Sequence, residues 1–448
     1  MLFNFRDHNR PLIVWSLTTA GSGVVAKIFG LINQIASVAL ISTALGAEGL
    51  QEQLLAIAVV SWFNLTLCGI HTALPALLIR TGEDPAAFAS IAKTAYFTAL
   101  FSVLGALGLM LLIVNLSLVG RLAEAPVATA AICNAAVTIL GLSERIFQAT
   151  DRIAQFNALN MAGTLVSLTA TAILTYTHGT AAEFIVAYYL GTLFPFLVAT
   201  FLIIPRLSFS VRTSIEEFSG RARELIGVGF FGFGYEIAAY CKLQAPLALL
   251  SALGLSSAIA PVGLGFRLIS LMGSGLSIIT PILFLRIGAA IQNHDYDARR
   301  QWTRLGMTFA AVFGAAAAGL ILISGQTIYQ KWTGGAVILD QADQVAIATF
   351  SALCLVQFLL FTLAAPDPAI AERLRWLFWL EGPAALATGT VGAIAVPAAY
   401  GGAGMLAGVA VVMGVAVLIL LVLLTVGSSS RSSELFVEAP RGPTFGEP

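Results

Sequence analysis

Charge is scarce in this chain. Only 10% of its 448 residues are Asp, Glu, Lys or Arg, against about 25% in an ordinary soluble domain. That excludes a solvated globular surface. The formal net charge is zero, so no global field favours nucleic acid as a partner. Cysteine is scarcer still. Cys68, Cys133, Cys241 and Cys354 stand apart in apolar stretches and make no CxxC pair, which leaves neither a disulfide framework nor a zinc site. No lysine follows a glycine, so no GxxxxGK[ST] phosphate loop exists and the chain is not itself an ATPase. HExxH is missing too. No exterior loop is large enough to host a polymerase or a lipid-linked glycosyltransferase site. The chain does not read as an enzyme, and no cofactor or metal is expected.

What is present is apolar. Hydrophobic residues make up 58% of the chain and mean hydropathy is +0.90. Segments of about 20 or more mostly apolar residues suffice to span a bilayer. Twelve such spans are expected, at residues 12–44, 50–79, 87–116, 125–149, 153–177, 182–205, 224–253, 257–285, 302–325, 342–365, 371–397 and 402–426. The first apolar segment is far longer than a signal-peptide core and reads as a retained helix. With the N-terminus inside, eighteen of the 23 Lys and Arg residues fall on the cytoplasmic side. Arg121 and Lys331 fall outside, and three lie within the membrane. This is a positive-inside pattern with both termini cytoplasmic.

The spans divide into halves that resemble each other. Pro75-Ala-Leu-Leu-Ile-Arg80 matches Pro281-Ile-Leu-Phe-Leu-Arg286 at the cytoplasmic end of the second helix of each half. Ala39-Leu-Ile-Ser-Thr-Ala-Leu-Gly46 resembles Leu247-Ala-Leu-Leu-Ser-Ala-Leu-Gly254 at the outer end of the first. Six spans separate each pair, so the copies run parallel. The expected fold is an all-α polytopic membrane protein, with two parallel-repeat six-helix halves around a central cavity. Residues 1–205 form one half, 206–222 a cytoplasmic linker, 223–426 the other half, and 427–448 a disordered tail.

Lys27, Lys242 and Arg267 sit inside apolar spans, where each cation costs roughly 2.5–3.5 kcal/mol by insertion scales. A chain accepts that cost when the charge faces a protein interior or a wet cavity. Three cations suggest a cavity prepared for an anion. Lys27 and Gln34 lie on one small-residue stripe of the first helix. Arg267, Ser270 and Ser274 share a stripe on the eighth. Asn64 and His71 lie on the second helix, and Tyr235 and Lys242 share a face of the seventh. Close helix packing is the plainer reading for the serines and glycines. Glu236 and Glu381 are intramembrane acids that either pair with a base or carry a coupling ion. His71 either titrates or is a satisfied interior histidine.

The twelve-helix plan resembles the multidrug/oligosaccharidyl-lipid/polysaccharide export superfamily. Gly23-Val-Val-Ala-Lys-Ile-Phe-Gly30 and Leu45-Gly46-Ala-Glu48 look like the opening of its polysaccharide-unit, or O-antigen, flippases. Leu50-Gln51-Glu52-Gln53 departs from that pattern, where the family has glycine-tyrosine. The resemblance implies movement of an undecaprenyl-diphosphate-linked sugar unit from the cytoplasmic to the outer face of a bacterial inner membrane. Lys27, Lys242 and Arg267 would hold the diphosphate, and the lipid tail would stay among helices and bilayer lipid. It also implies H+ or Na+ coupling and a polysaccharide polymerase or glycosyltransferases as partners. The alternatives are a drug or organic-cation antiporter of the same superfamily, which would want lumenal acids, and a peptidoglycan-precursor flippase, which would want two further helices. A non-transporting scaffold would not carry isolated intramembrane charges.

Overall fold

A computed structural model describes residues 12–81, 84–115, 124–150, 152–203, 215–293 and 295–427. These are almost entirely helical, and no strand occurs among them. The first half contains α1 (Leu12–Val60), α2 (Ile70–Arg80), α3 (Pro85–Asn115), α4 (Glu124–Leu140), α5 (Leu142–Ala149), α6 (Ile153–Thr177) and α7 (Ala181–Ile203). The second contains α8 (Ile215–Leu243), α9 (Ala245–Ala252), α10 (Ile259–Gln292), α11 (Tyr296–Trp332), α12 (Gln341–Ala364), α13 (Pro368–Ala395) and α14 (Gly401–Gly427).

These helices make twelve passes in a multi-pass membrane protein. A straight 49-residue α1 would run about 73 Å, more than twice the roughly 30 Å hydrocarbon layer. It does not run straight: Gly46 has φ 67° and ψ −163°, outside helical geometry. Its repeat partner Gly254 also has positive φ, at 74°. Both glycines therefore end the first pass of their half in a conformation that side chains resist. α4 and α5 form one pass broken at Gly141, and α8 and α9 form one broken at Gln244. Nine segments qualify as spans on length and composition alone. The first of these holds both passes of α1 and α2. The passes of α8 and α13 fall outside that count, and they carry Glu236, Lys242 and Glu381.

Two expectations shift. The anticipated linker over 206–222 is helical from Ile215 onward, since α8 begins there. Glu217 lies in that first turn, where an acidic side chain complements the helix dipole. Residues 206–214 and 428–448, and hence most of the linker and tail, lie outside the described residues. The second helix is not continuous either. Ser61–Leu67 winds as a tight seven-residue 3-10 helix, then Cys68 and Gly69 turn left-handed before α2 starts. A break inside a bilayer frees carbonyls that need donors. Asn134 Nδ2 on α4 donates to the Val60 carbonyl at 2.8 Å, and the Thr72 hydroxyl donates to the Gly69 carbonyl at 2.7 Å.

Burial separates two cores. One gathers Phe63, Leu74, Ala92, Ala130 and Phe156 within the first half. The other gathers α8–α14 residues such as Leu264, Phe350, Leu374 and Met405. It also takes in Val38, Ile41, Leu50 and Leu54 of α1. The stretch around Gly46 is thus built into the second half, with α1 packed on α9 and α10. The earlier part of α1 is more open: Val25, Ile28, Ile32 and Ile35 are exposed. α2 packs on α8 across the other side of the seam.

Candidate functional site

Lys242 is the last residue but one of α8, two residues before the break at Gln244, and its side chain points into the second half. Its ammonium lies 2.8 Å from Glu381 Oε1 on α13 and 2.9 Å from Gln357 Oε1 on α12. The Gln357 amide also donates to Glu381 Oε1 at 2.7 Å. All three side chains are buried. Two helical turns earlier on the same face, Tyr235 stacks on Phe361 with ring centroids 5.1 Å apart and meets Phe378 edge-on at 5.4 Å. Tyr235 and Lys242 therefore do share a face, and that face is turned toward α12 and α13. One cation and one of the two intramembrane acids neutralise each other there.

Arg267 has different surroundings. It projects from α10 toward α7 of the other half, with its guanidinium 5.8 Å from the centre of the Tyr188 ring. Among the described residues no carboxylate forms an ion pair with it. Ser270 follows one turn later and is exposed, and Ser274 donates to the Ser270 carbonyl at 2.8 Å. An added Cβ at Gly273 or Gly275 would meet nothing within 4 Å, and the same holds for Gly21 and Gly30 on α1. Of these four only Gly30 lies on the polar stripe of α1; the other glycine of that stripe, Gly23, would meet Asn157 Nδ2 at 3.7 Å. Lys27 is half-buried on the same stretch of α1, near where Asn157 on α6 donates to Ser22 at 3.1 Å. Gln34 buries its side-chain oxygen without a hydrogen-bond partner. Asn64 is exposed in the tight turn and accepts from Thr138 at 3.3 Å.

The second intramembrane acid meets the histidine. His71 Nε2 on α2 lies 2.8 Å from Glu236 Oε1 on α8, so this contact crosses between the halves. Just before it the two backbones touch. A Cβ at Gly69 would fall on the Gly229 carbonyl, and one at Gly229 would fall on the Gly69 carbonyl. Only glycine at both positions permits the approach. Further along the seam, the Trp332 indole on α11 donates to the Ile35 carbonyl on α1 at 2.8 Å, and Ser90 on α3 donates to Glu217 on α8 at 2.9 Å.

No protein-family model matches the chain, and no curated protein matches it. Solved structures do. An inward-facing multidrug resistance MATE family transporter of the MOP superfamily aligns with a TM-score of 0.68 at 16% identity, over 92% of this chain and 99% of that one. The chain has the fold of the MOP superfamily transporters. The lipid II flippase MurJ, in an inward closed conformation, aligns with a TM-score of 0.64 at 10% identity, over 93% of this chain and 87% of that one. A MOP superfamily transporter from Pyrococcus furiosus Vc1, described by the reverse polarity of its binding pocket, aligns with a TM-score of 0.54 at 13% identity, over 92% and 95%. These neighbours are transporters and a flippase.

Some residues of the site escaped the sequence reading. Gln357 is a neutral amide in an apolar span and gives no charge signal. Tyr188, Gly69 and Gly229 are residue types too common in membrane helices to stand out. A cavity of about 990 Å³ lies between α12, the end of α13 and α14, lined by Asp340, Val345, Thr349, Pro397, Tyr400 and Val411 among others. None of the expected site residues lines it.

Proposed function

We propose that this protein is a flippase that moves an undecaprenyl-diphosphate-linked oligosaccharide unit from the cytoplasmic to the outer leaflet of a bacterial inner membrane, for surface polysaccharide synthesis. The observation that carries the reading is the charge balance inside the membrane. Glu381 is answered by Lys242, and Glu236 lies 2.8 Å from His71. Arg267 stands at the seam with an aromatic ring and, among the described residues, no carboxylate. An organic cation entering the seam would find Glu381 already paired with Lys242. An anionic headgroup would find a guanidinium, whose planar fork suits phosphate oxygens. Lys27, on the open stretch of α1, would be the second contact to the diphosphate. Lys242 acts on that site through the packing of α8. Gln34, Asn64, Ser270 and Ser274 offer hydrogen-bonding groups to sugar hydroxyls, and the polyprenyl tail remains among lipid. The halves rock about the seam to alternate access.

Twelve passes favour a polysaccharide-unit flippase over a peptidoglycan-precursor flippase. The test is flipping by the purified chain in proteoliposomes. Three substrates are compared: a polyprenyl-diphosphate oligosaccharide, the peptidoglycan precursor lipid II, and a fluorescent organic cation. Movement of the first, lost in Arg267→Glu, is expected. Transport of the cation alone would overturn the reading.

A further inference from the structure

We infer that the groove between α12 and α14 is a binding site for one membrane phospholipid whose headgroup carries a primary ammonium, as in phosphatidylethanolamine. The inference uses the fold alone and stands apart from the flippase reading.

The groove has the dimensions of a slot for one chain. Its volume is about 990 Å³, at the upper end of the roughly 300–1,000 Å³ of small-molecule sites. Its wall on α12 runs from Gln341 to Leu353, and its wall on α14 from Tyr400 to Val411. At about 1.5 Å per residue these walls are about 18 Å and about 16 Å long. The roughly 30 Å hydrocarbon layer gives each leaflet about 15 Å. The groove therefore starts at the membrane surface where α12 and α14 begin and stops near the midplane. A transmembrane helix from a second copy would be gripped over only half its length, whereas an acyl chain anchored at one surface ends there. Small residues make the slot. Ala346 and Ala410 are buried on its floor, while Val345 and Val411 stand exposed along its edges. Gly404 turns toward α13, where an added Cβ would fall on the Gly392 carbonyl. α14 is thus drawn onto α13 at that level, and no large side chain fills the gap beside α12.

The mouth selects the headgroup. Among the described residues, Asp340 is the only charged one that lines the groove. It is exposed, and it caps α12 by accepting from the Asp343 amide at 2.7 Å. A carboxylate has about four lone-pair sites, so the cap leaves room for an ammonium. Asp343 lies just behind it, buried against Gly402 of α14, and puts a second carboxyl group in the same corner. Gln341 and Tyr400 complete the mouth. Their amide and phenol donors suit lipid phosphate oxygens, and tyrosine is enriched at the membrane interface. Phosphatidylglycerol has no ammonium to offer Asp340, and a polyprenyl diphosphate would bring its negative charges against it.

The site lies wholly within the second half, so it persists while the halves rock. Gln357, which bonds Lys242 and Glu381, stands one turn past Leu353 on α12. A chain seated in the groove braces α12 against α14 beside that buried pair.

The test measures no transport, so its failure is distinct from failure of the flippase reading. The purified full chain is reconstituted in phosphatidylcholine vesicles that contain a trace of phosphatidylethanolamine with a photoreactive acyl chain. After irradiation, labelled peptides are identified by mass spectrometry. Label is expected to concentrate in residues 341–353 and 400–411. Unlabelled phosphatidylethanolamine should displace it at about one-fifth of the mole fraction that phosphatidylglycerol requires. That ratio equals about 1 kcal/mol, the upper end for an exposed ion pair. Asp340→Asn removes the charge but keeps a good helix cap, and it should erase the ratio. Ala407→Phe, at an exposed position of the α14 wall, should lower label in both stretches several-fold and leave label elsewhere unchanged. Asp340→Asn leaves the groove unfilled, so it decides headgroup choice even where Ala407→Phe folds poorly. Label spread evenly over the lipid-facing helices would mean surrounding lipid only and would overturn the site. So would equal displacement by phosphatidylglycerol, or stronger displacement by a polyprenyl diphosphate. Disulfide dimers through Ala407→Cys, with no lipid label in the groove, would give it to a second copy and overturn the assignment as well.

Discussion

Lys242 and Glu381 join α8 to α13 through a buried ion pair 2.8 Å long, with Gln357 of α12 bonded to both. Three helices of the second half therefore share one charge-neutral knot. Removing one member leaves a charge with no water to receive it, and breaking a buried pair costs about 3–5 kcal/mol. Lys242→Ala and Glu381→Ala should each lower the melting temperature and the yield of monodisperse protein. The paired change Lys242→Met with Glu381→Leu should recover most of that loss, because it removes both charges and keeps the volume. Thermal unfolding in detergent, followed by size-exclusion chromatography, measures this. Equal losses in the single and paired variants would contradict a neutralising role for the pair.

Arg267 should behave in the opposite way. It is bound to no carboxylate among the described residues, so its loss orphans no acid. Arg267→Ala is expected to fold near wild-type levels yet to reduce flipping by at least about tenfold, the equivalent of about 1.4 kcal/mol in binding. Arg267→Glu should be worse, since it repels the anion. Arg267→Lys should retain partial activity, because it keeps the charge but not the bidentate fork. Surface polysaccharide in a complemented deletion strain, read beside membrane abundance, separates transport from folding. Normal polysaccharide with Arg267→Glu would remove the anion site from consideration.

Gly69 and Gly229 set how closely the halves approach. A methyl group at either would occupy the other's carbonyl. Gly69 also has φ 77°, which costs a side-chain-bearing residue roughly 1–2 kcal/mol. Gly229→Ala is the cleaner variant, because it adds volume without backbone strain. It should hold the seam apart and weaken crosslinking between cysteines placed at Thr72 and Gly232, a pair of neighbours across the same contact. Crosslinking as efficient as in the Gly229 parent would show that the contact yields easily.

Most passes were legible in the sequence from hydropathy, although those of α8 and α13 are too polar to qualify on length and composition alone, and the repeat marked Gly46 and Gly254 as equivalent positions. Their shared positive φ follows from that equivalence. The breaks at Cys68 and Gln244 were not legible. Each depends on donors or packing from distant helices, such as Asn134 reaching the Val60 carbonyl. The charged residues of the site stood out one by one because charge is rare in apolar spans. Their pairing did not, since hydropathy says nothing of which helix faces which. Two acids and four basic residues allow several pairings, and only the fold assigns Glu381 to Lys242 and Glu236 to His71. Gly69 and Gly229 were lost among 42 glycines.

The energy source gives the last prediction. The sequence contains no nucleotide-binding loop, and export is expected to draw on a gradient or on the membrane potential. A cytoplasm-negative potential drives anions outward at roughly 2.3 kcal/mol per elementary charge per 100 mV. A diphosphate with about two negative charges therefore gains roughly 4–5 kcal/mol per 100 mV if it crosses uncompensated. Flipping in proteoliposomes should rise with an imposed potential, negative on the side from which the substrate leaves, and should reverse direction with its sign. An inward proton gradient applied at zero potential separates ion coupling from a purely electrical drive. Added ATP should change nothing. Flipping by the purified chain that ignored both potential and proton gradient, yet required ATP, would refute this mechanism.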